Sequence, residues 1–333
     1  MLSMDKLIDK FNRQIEYLRI SVTDRCNLRC IYCMPAGGIL NKNQSEILSF
    51  EEIYRIVKVS ARLGIRKVRI TGGEPLVRKD LPVLIAKLKN ISGLSEIALT
   101  TNGTYLNDYV YSLQRAGLDR VNISLDSLDS EKYQEITRGG KIETVLKGIE
   151  SAFSAGLFPV KINTVLIKGF NADEILDFAR LAKERPLHIR FIEYMCTGLN
   201  RIYSEDFYLS SLKAKQACQS LGELIPVRSG LNATAEVFKI KGFCGTIGFI
   251  SPISRPFCSS CNKLRLTSDG VLKSCLHSPK IVNLKEALIK GIGDEELANL
   301  IRAAVFLKPE SHNLLNMPVS YEAEDFSMCQ IGG

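Results

Sequence analysis

The sequence predicts an α/β fold: an incomplete βα barrel of about six units, similar to part of a TIM barrel, followed by a smaller α+β domain. Three observations lead to this prediction. Strand-like alternation gives way to helical spacing again and again between residues 17 and 195, which is typical of parallel α/β proteins. The predicted strands have one apolar and one polar face. The repetition stops after about residue 196, so we expect one domain over residues 1–196 and a second over residues 197–333.

The units follow one another along the chain, and a helix connects each strand to the next. The predicted strands are 17–23, 67–70, 96–100, 120–124, 160–166 and 188–192. The predicted connecting helices lie around residues 53–61, 80–89, 107–116, 142–155 and 175–182. In the second domain we expect short strands over 237–240 and 245–250, and helices over 284–290 and 295–306.

The two faces of the strands distinguish between the possible α/β architectures. In the first strand Leu18, Ile20 and Val22 alternate with polar residues, whereas strands covered by helices on both sides are apolar on both faces. A complete eight-stranded barrel fills its interior with bulky apolar layers. The second face here carries Arg19, Thr71, Thr100, Ser124, Lys161 and Asn163. We therefore predict a wider, incomplete barrel with a polar ligand cavity; an open doubly wound sheet and a solvent-exposed sheet face are the alternatives.

The composition is that of an ordinary globular protein, with 45% apolar and 24% charged residues. No stretch approaches the roughly 18 apolar residues of a membrane span, and the first residues do not resemble a secretory signal, so we expect a cytoplasmic protein without a membrane partner. Lys and Arg exceed Asp and Glu by 44 to 36, a net charge of +8. Because no basic run resembles a nucleic-acid-binding arm, this charge favours a phosphorylated ligand or a merely basic surface.

Cysteine usage is more informative than charge. Ten cysteines occur, and in a long chain without a secretory signal they indicate metal binding or catalysis rather than disulfides. Six of them form two close groups in sequence. The other four are isolated and are expected to be inert, namely Cys196, Cys218, Cys244 and Cys329.

The first group, Cys26, Cys30 and Cys33, has the spacing C-x3-C-x2-C directly after the first predicted strand. Three thiolates this close in sequence can hold an iron–sulfur cube through three of its irons, which leaves the fourth iron open. A structural zinc site would need a fourth ligand, and neither a fourth Cys nor a His lies nearby in sequence. An open iron indicates a bound ligand and chemistry.

This cysteine loop, with the aromatic Tyr32 before its last cysteine, resembles the radical S-adenosylmethionine (SAM) enzymes. The turn Gly72-Gly73-Glu74-Pro75, which ends the second predicted strand, strengthens the resemblance. In that family the turn lies by the methionine amino group, where glycines allow the main chain to approach closely. The resemblance implies a 4Fe-4S cluster on the three cysteines and SAM as its ligand.

The second group, Cys258, Cys261 and Cys275, has the spacing C-x2-C-x13-C in the second domain. His277 stands two residues beyond the last cysteine, so spacing alone leaves a Cys3His zinc site open. The surrounding segment, CSSCNKLRLTSDG over residues 258–270, closely resembles the auxiliary-cluster segment of the GTP 3',8-cyclase family, whose reaction opens molybdenum cofactor biosynthesis. This resemblance covers nearly the whole chain and implies a second 4Fe-4S cluster whose open iron meets guanine.

The same resemblance implies roles for further residues. The positions matching the SAM contacts are Tyr32, Gly73, Ser124 and Met195, and those matching the GTP contacts are Arg19, Arg69, Thr100, Lys161, Lys263, Leu264 and Arg265. The terminal Gly332 and Gly333 match a tail that reaches into the active site. Lys263 departs from the family, which usually has Arg there; Lys keeps the charge but loses the bidentate fork. Alternation supports the assignment, because Arg19 and Lys161 fall on the polar face.

The activity implied is the conversion of GTP to (8S)-3',8-cyclo-7,8-dihydroguanosine 5'-triphosphate. Electron transfer from the first cluster would cleave SAM, and the 5'-deoxyadenosyl radical would take hydrogen from C3' of the ribose, after which C3' attacks C8 of guanine. The implied partners are GTP, an external one-electron reductant similar to flavodoxin or ferredoxin, the downstream cyclic pyranopterin monophosphate synthase and a possible second copy of the chain in a homodimer. The alternatives are a peptide-modifying radical SAM enzyme with an auxiliary cluster and a zinc-stabilised nucleic-acid-binding protein.

Overall fold

The computed structural model describes residues 6–195, 207–227, 234–312 and 328–332. Twelve strands of this described part form one sheet in the order β12-β11-β10-β1-β2-β3-β4-β5-β6-β9-β8-β7. The first six are β1 Tyr17–Ser21, β2 Lys67–Thr71, β3 Glu96–Thr101, β4 Arg120–Ser124, β5 Lys161–Leu166 and β6 His188–Glu193. The later six are β7 Leu224–Val227, β8 Glu236–Ile240, β9 Thr246–Ile250, β10 Lys263–Leu266, β11 Val271–Lys273 and β12 Ile281–Asn283.

Strands β1 to β6 are adjacent in chain order and all parallel, as a series of βα units requires. The helices that connect them are α1 Phe50–Arg62, α2 Leu81–Lys89, α3 Leu106–Arg115, α4 Ser130–Thr137, α5 Ile142–Ser154 and α6 Ile175–Glu184. The helices that follow are α7 Ser211–Cys218, α8 Leu284–Ile289, α9 Asp294–Phe306 and α10 Met328–Ile331. No helix in the described ranges is long and apolar enough to cross a membrane.

Local sequence explains where these elements begin. At the start of α1, Ser49 Oγ accepts from the Glu52 main-chain N–H at 3.1 Å, and Glu52 Oε2 accepts from the Ser49 N–H at 2.6 Å. This reciprocal pair satisfies two donors that would otherwise lack partners at the helix end. In β1, Leu18 and Ile20 are buried under the helices whereas Tyr17 and Arg19 are only half-buried on the other face. The apolar face thus forms the core and the polar face remains available for a ligand.

The predicted fold class is confirmed, and the six predicted strands all form. The structure adds α4, which precedes α5 in the fourth connection and has no strong apolar periodicity, and α7. It also adds the strands β7, β10, β11 and β12, which the sequence analysis did not predict. Their joining to the barrel sheet is the main difference: β10 pairs with β1 and β9 pairs with β6, both parallel.

The second half of the described chain therefore extends the sheet of the first half at both edges. Both of these parallel pairings extend the polar face of the barrel with residues from the second half. The division into domains at residue 196 stays a prediction. Main-chain hydrogen bonds between β1 and β10 and between β6 and β9 join the two halves and position the site.

Candidate active site

A cavity of about 390 Å³ lies on the polar face of the barrel and is lined by residues from both halves of the chain. All six cysteines of the two groups line it, and so do side chains from β1 to β6 and from β10. The sheet therefore brings together two cysteine groups that are more than two hundred residues apart in sequence. The predicted polar lumen is this cavity.

The first cysteine loop follows β1 and is shaped by short main-chain bonds. The Cys33 N–H donates to the Cys30 carbonyl at 2.9 Å, and the Leu28 N–H donates to Cys26 Sγ at 3.4 Å. Burial raises the pKa of Cys26 to about 11 and raises the pKa of Cys30 as well. Such thiols remain protonated until a cation takes up their charge, which is what a bound metal centre does.

The glycine turn after β2 holds this loop in place. The Gly73 N–H donates to the Thr23 carbonyl at 2.8 Å, and the Glu74 N–H donates to the Arg25 carbonyl at 2.9 Å, immediately before Cys26. A Cβ at Gly73 would lie 2.4 Å from the Arg25 carbonyl oxygen. Only a residue without a side chain permits this approach. The turn therefore fixes the position of the main chain directly before Cys26.

The carboxylate of Glu74 is fully buried beneath the turn. It accepts from Thr101 Oγ1 at 2.7 Å, from the Asn102 N–H at 2.7 Å and from the Leu76 N–H at 3.1 Å. Burial outweighs these bonds and raises the pKa of Glu74 to about 7. The second predicted motif is thus anchored to the end of β3.

Tyr32, a predicted SAM contact, lines the cavity and is fixed by a partner that the sequence analysis did not identify. Its hydroxyl donates to Asp126 Oδ2 at 2.6 Å, and Asp126 Oδ1 accepts from the Val165 N–H at 2.8 Å. Burial raises the pKa of Asp126 to about 6. The available signal was its position just after β4, where polar residues of parallel α/β sheets collect at the ligand-binding edge.

The second cysteine loop is fixed by two buried cations from outside it. Arg13 Nη1 donates to the Cys258 carbonyl at 2.7 Å. Lys308, whose exposed fraction is 2%, donates from Nζ to the Ser274 carbonyl at 2.5 Å and to the Lys263 carbonyl at 2.9 Å. Although burial raises the pKa of Cys261, the opposing charges of Lys308 and Lys263 lower it overall. Neither Arg13 nor Lys308 has a sequence signal, because each acts through a contact distant in sequence.

Each cysteine group supplies three thiols, the ligand type that iron–sulfur clusters take. No group of three or more His, Cys, Asp or Glu within the described ranges is close enough to hold one metal ion. Thiols around a zinc ion stand within about 4 Å of one another, given Zn–S bonds of about 2.3 Å, whereas a four-iron cube is larger and its ligands stand farther apart. His277 also faces another histidine, His312, with ring centroids 5.5 Å apart.

Cations line the end of the cavity nearest the second loop. The parallel register aligns Arg265 of β10 with Arg19 of β1, and Arg19 in turn with Arg69 of β2. Arg69 donates from Nη1 to Thr100 Oγ1 at 3.1 Å and hydrogen-bonds to the Tyr17 hydroxyl. Three guanidinium groups in one row across neighbouring strands make a site for several negative charges.

Two further cations complete this region. Lys263 lines the cavity, with its ammonium 5.8 Å from the Tyr17 ring centroid and 5.7 Å from that of Phe257. Arg190 of β6 also lines it, and burial together with the charges of Arg69 and Arg120 lowers the pKa of Arg190 to about 10. Arg190 was not predicted, although its alternate position on β6 places it on the polar face.

Two predicted GTP residues do not line the cavity. The Leu264 side chain is 1% exposed and lies in the hydrophobic core, so only its main chain remains for a ligand contact; alternation along β10 turns it away from the polar face. Lys161 lies beside the cavity rather than in its lining. Burial and the nearby charges of Arg190, Arg120 and Arg69 lower its pKa to about 6.

The remaining predicted residues are two SAM positions and the glycines of the tail. Ser124 and Met195 line the cavity. Gly332 has a φ of +73°, and its carbonyl accepts from Arg265 Nη1 at 2.5 Å. A Cβ at Gly332 would lie 1.9 Å from Thr71 Oγ1, so this position requires glycine. Gly333 lies outside the described residues, as does Cys196.

Three of the four cysteines isolated in sequence lie in the described ranges, and they differ from one another in the structure. Cys218 is buried in the apolar core and Cys244 is exposed. Cys329, isolated in sequence, is not isolated in space, because it lines the cavity and hydrogen-bonds with Cys33. The reason is that α10 returns this part of the chain to the first cysteine loop; the expectation that Cys329 is inert stays a prediction.

Comparison with known proteins agrees with this geometry. Residues 20–182 match the model of the Radical SAM superfamily, and residues 187–314 match the model described as Molybdenum Cofactor Synthesis C. A GTP 3',8-cyclase of Petrotoga mobilis is 47% identical over 330 residues, covering 98% of this chain and 100% of the relative. A GTP 3',8-cyclase of Moorella thermoacetica is 48% identical over 326 residues, covering 98% and 99% of the two chains.

Among solved structures, Streptococcus suis SuiB bound to S-adenosylmethionine is similar in fold, with a TM-score of 0.63 and 16% identity, covering 88% of this chain and 69% of that chain. The relatives named above are nearly half identical along almost the whole length of both chains, and the two matching family models meet between β5 and β6. The chain belongs to the GTP 3',8-cyclase family of the radical SAM superfamily.

Proposed function

We propose that this protein is a GTP 3',8-cyclase, which converts GTP to 3',8-cyclo-7,8-dihydroguanosine 5'-triphosphate in the first step of molybdenum cofactor biosynthesis. The single observation that carries the proposal is the joint lining of one cavity by two cysteine triplets and a row of arginines in register across β10, β1 and β2. A radical reaction on a triphosphate needs both in one enclosed space. The curated names of the family members support the same activity.

Cys26, Cys30 and Cys33 would hold the first 4Fe-4S cluster. When bound and reduced, this cluster supplies the electron that cleaves SAM and so provides the radical for hydrogen abstraction. Tyr32, Gly73, Ser124 and Met195 would bind SAM beside it. The Asp126 carboxylate orients Tyr32, and the glycine turn fixes the start of the loop, so these residues position SAM before any chemistry begins.

GTP would lie across the cavity from SAM. Arg19, Arg69 and Arg265 face it from three adjacent strands, and Lys263 and Arg190 add two charges to the same region. Several cations in one enclosed cavity match the several negative charges of a triphosphate. Thr100 would contribute a hydroxyl, Lys161 a nearby charge and Leu264 its main chain. By holding both substrates in one closed space, these residues orient C3' and exclude water from the radical.

Cys258, Cys261 and Cys275 would hold a second 4Fe-4S cluster next to the guanine. The two buried cations on this loop support the assignment, because Arg13 and Lys308 fix the main chain of a loop that otherwise has little regular structure. We also propose that an external flavodoxin-like or ferredoxin-like protein supplies the electron and that a separate cyclic pyranopterin monophosphate synthase consumes the product. The homodimer and the two-domain division at residue 196 are part of the same proposal.

The direct test is anaerobic incubation of the reconstituted protein with SAM, reductant and GTP, followed by quantification of 5'-deoxyadenosine and 3',8-cyclo-GTP. We expect both products to form together. ATP serves as the matched control, because it has the same triphosphate and a different base. If 5'-deoxyadenosine forms without any cyclic nucleotide, the enzyme acts on another substrate, such as a peptide.

Metal analysis separates the proposal from the alternative of a zinc-stabilised binding protein. Two four-iron clusters correspond to about eight irons and eight sulfides per chain. Zinc in place of the second cluster would contradict the assignment of Cys258, Cys261 and Cys275. A nucleic-acid-binding protein would also leave the first cysteine triplet without a role.

A further inference from the structure

Cys329 lies in the site of the first cysteine triplet although it is separated from it by almost the whole chain. The residue is 2% exposed and belongs to the short helix α10. It lines the same cavity as Cys26, Cys30 and Cys33 and hydrogen-bonds with Cys33. A fourth thiol therefore lies in direct contact with the triplet.

The end of the chain is held firmly at this place. Arg265 Nη1 donates to the Gly332 carbonyl at 2.5 Å and to the Ile331 carbonyl at 3.4 Å. The Ile331 side chain is 2% exposed, so it is anchored by apolar contact as well. The left-handed conformation of Gly332 lets the main chain pass directly over Thr71. Cys329 is thus positioned by the anchored residues that follow it in sequence, Ile331 and Gly332.

A triplet of cysteines leaves one iron of a four-iron cluster without a protein ligand, and thiolate is the usual fourth ligand of such clusters. We propose that Cys329 is a reversible fourth ligand of the first cluster: it caps the open iron while SAM is absent and leaves it when SAM binds. This inference rests on the proposed function only in requiring a cluster on Cys26, Cys30 and Cys33. On capping, the Cys329 thiol releases its proton to solvent and takes it up again on leaving, and no electron is transferred.

The cap gives the tail a second role besides shaping the GTP end of the cavity. Because Cys329 and SAM occupy the same iron in turn, SAM binding displaces α10 from the first cysteine loop, and the resting cluster has no iron open to water or oxygen. Inert core filling is the simpler explanation of a buried cysteine. Filling, however, predicts apolar neighbours, whereas Cys329 lines the same cavity as the three cysteines and hydrogen-bonds with Cys33.

The first test is electron paramagnetic resonance of the reduced holoenzyme, with and without SAM, for the wild type, Cys329→Ala and Met328→Ala. Met328 also lines the cavity and its substitution keeps the thiol, so it is the matched control. We expect the SAM-free spectrum of Cys329→Ala to differ from the other two and all three spectra to coincide once SAM is saturating. Coincident spectra without SAM would overturn the cap.

The second test is the affinity for SAM, measured by titration of the same spectral change in the absence of GTP. If about a tenth of the wild-type enzyme is uncapped, Cys329→Ala binds SAM about tenfold more tightly, because the competing ligand is gone. Unchanged or weaker binding contradicts the proposal. Iron and sulfide analysis distinguishes failure of this proposal from failure of the proposed function. If the enzyme holds the first cluster and responds to SAM but is unaffected by Cys329→Ala, only the fourth-ligand proposal is wrong. If the first cluster is absent, the proposed function itself is wrong.

Discussion

At the scale of the residue, Lys263 is the position where this chain departs from the arginine usual in its family. Its ammonium lies between the rings of Tyr17 and Phe257, and burial lowers its pKa. A single lysine in this place supplies charge without the directional fork of a guanidinium. Lys263 lines the cavity, so its contribution to binding can be measured by substitution.

We expect Lys263→Ala to weaken GTP binding by about 1.5 to 3 kcal/mol, the usual worth of a hydrogen bond to a charged group. Lys263→Arg should bind GTP as well as the wild type or better. The measurement is isothermal titration calorimetry under anaerobic conditions. Lys239→Ala, which removes an exposed lysine of β8, is the matched control for net charge. Equal affinity in all these proteins would show that Lys263 does not contact the nucleotide.

Lys161 leads to a second prediction at this scale, because its pKa of about 6 lies far below the ordinary value for lysine. At pH 7.5 the free enzyme therefore holds Lys161 largely uncharged. A bound triphosphate stabilises the ammonium form and raises the pKa, so GTP binding takes up close to one proton at this residue. The same low pKa affects the stability of the unliganded protein. Between about pH 6 and the ordinary pKa of lysine, the unfolded chain binds a proton that the folded chain does not, so the contribution of Lys161 to stability rises with pH in this window.

Calorimetry in two buffers of different ionisation enthalpy at pH 7.5 measures this proton uptake. We expect the wild type to take up about one proton more per GTP than Lys161→Met. The comparison between the two proteins cancels any proton exchanged by the nucleotide itself. The same uptake in both would mean that Lys161 is already charged in the free enzyme.

At the scale of the element, sequence alone predicted the six barrel strands and most of their helices, because alternation and helical spacing are local properties. It did not predict β10, β11 and β12. These strands contain three or four residues each, too few for a period to be recognised, and they follow a loop rich in proline and serine. The pairing of β10 with β1, to which β11 and β12 are then added, depends on tertiary contact, which no local pattern reports.

The same division holds for the site. Both cysteine triplets, the glycine turn and the arginines of β1 and β2 could be identified from sequence motifs and alternation. Arg13 and Lys308 could not, since each acts through a contact distant in sequence. Asp126 and Arg190 were missed although their positions just after β4 and on β6 carried a signal. The register of β10 against β1, which aligns Arg265 with Arg19, likewise appears only in the folded sheet.

The two cysteine loops belong to different elements of the fold, so we expect them to have separable roles. Cys30→Ser should abolish SAM cleavage because the first cluster loses a ligand. Cys261→Ser should keep the first cluster and remove GTP turnover. Iron content, the SAM-dependent paramagnetic signal and 5'-deoxyadenosine formation check both variants. If the Cys30→Ser protein still forms 5'-deoxyadenosine, the assignment of the first cluster is wrong. The control for the loss of a thiol is Cys218→Ser, which lies in the apolar core.

At the scale of the whole molecule, the second half of the chain extends the incomplete barrel of the first half at both of its edges. Strands β9 and β10 add to opposite edges of the six-stranded sheet, and the second cysteine loop lies next to β10 above the same cavity. The chain then returns once more, through α10, to the first cysteine loop. The cavity is lined by residues of β1, β6, β10 and the tail, so both halves of the chain build the site without the regular eight-stranded closure of a complete barrel.

The tail gives the last prediction, because its end meets the substrate end of the cavity. The Gly332 carbonyl accepts from Arg265, a predicted GTP residue, and any side chain at Gly332 would collide with Thr71. We expect deletion of Gly332 and Gly333 to release Arg265 from this contact and to stop cyclisation while SAM cleavage without product continues. Gly332→Ala should act in the same direction. The measurement is the ratio of 3',8-cyclo-GTP to 5'-deoxyadenosine, with an exposed substitution such as Lys239→Ala as the control, and an unchanged ratio in the truncated protein would show that the tail does not shape the substrate site.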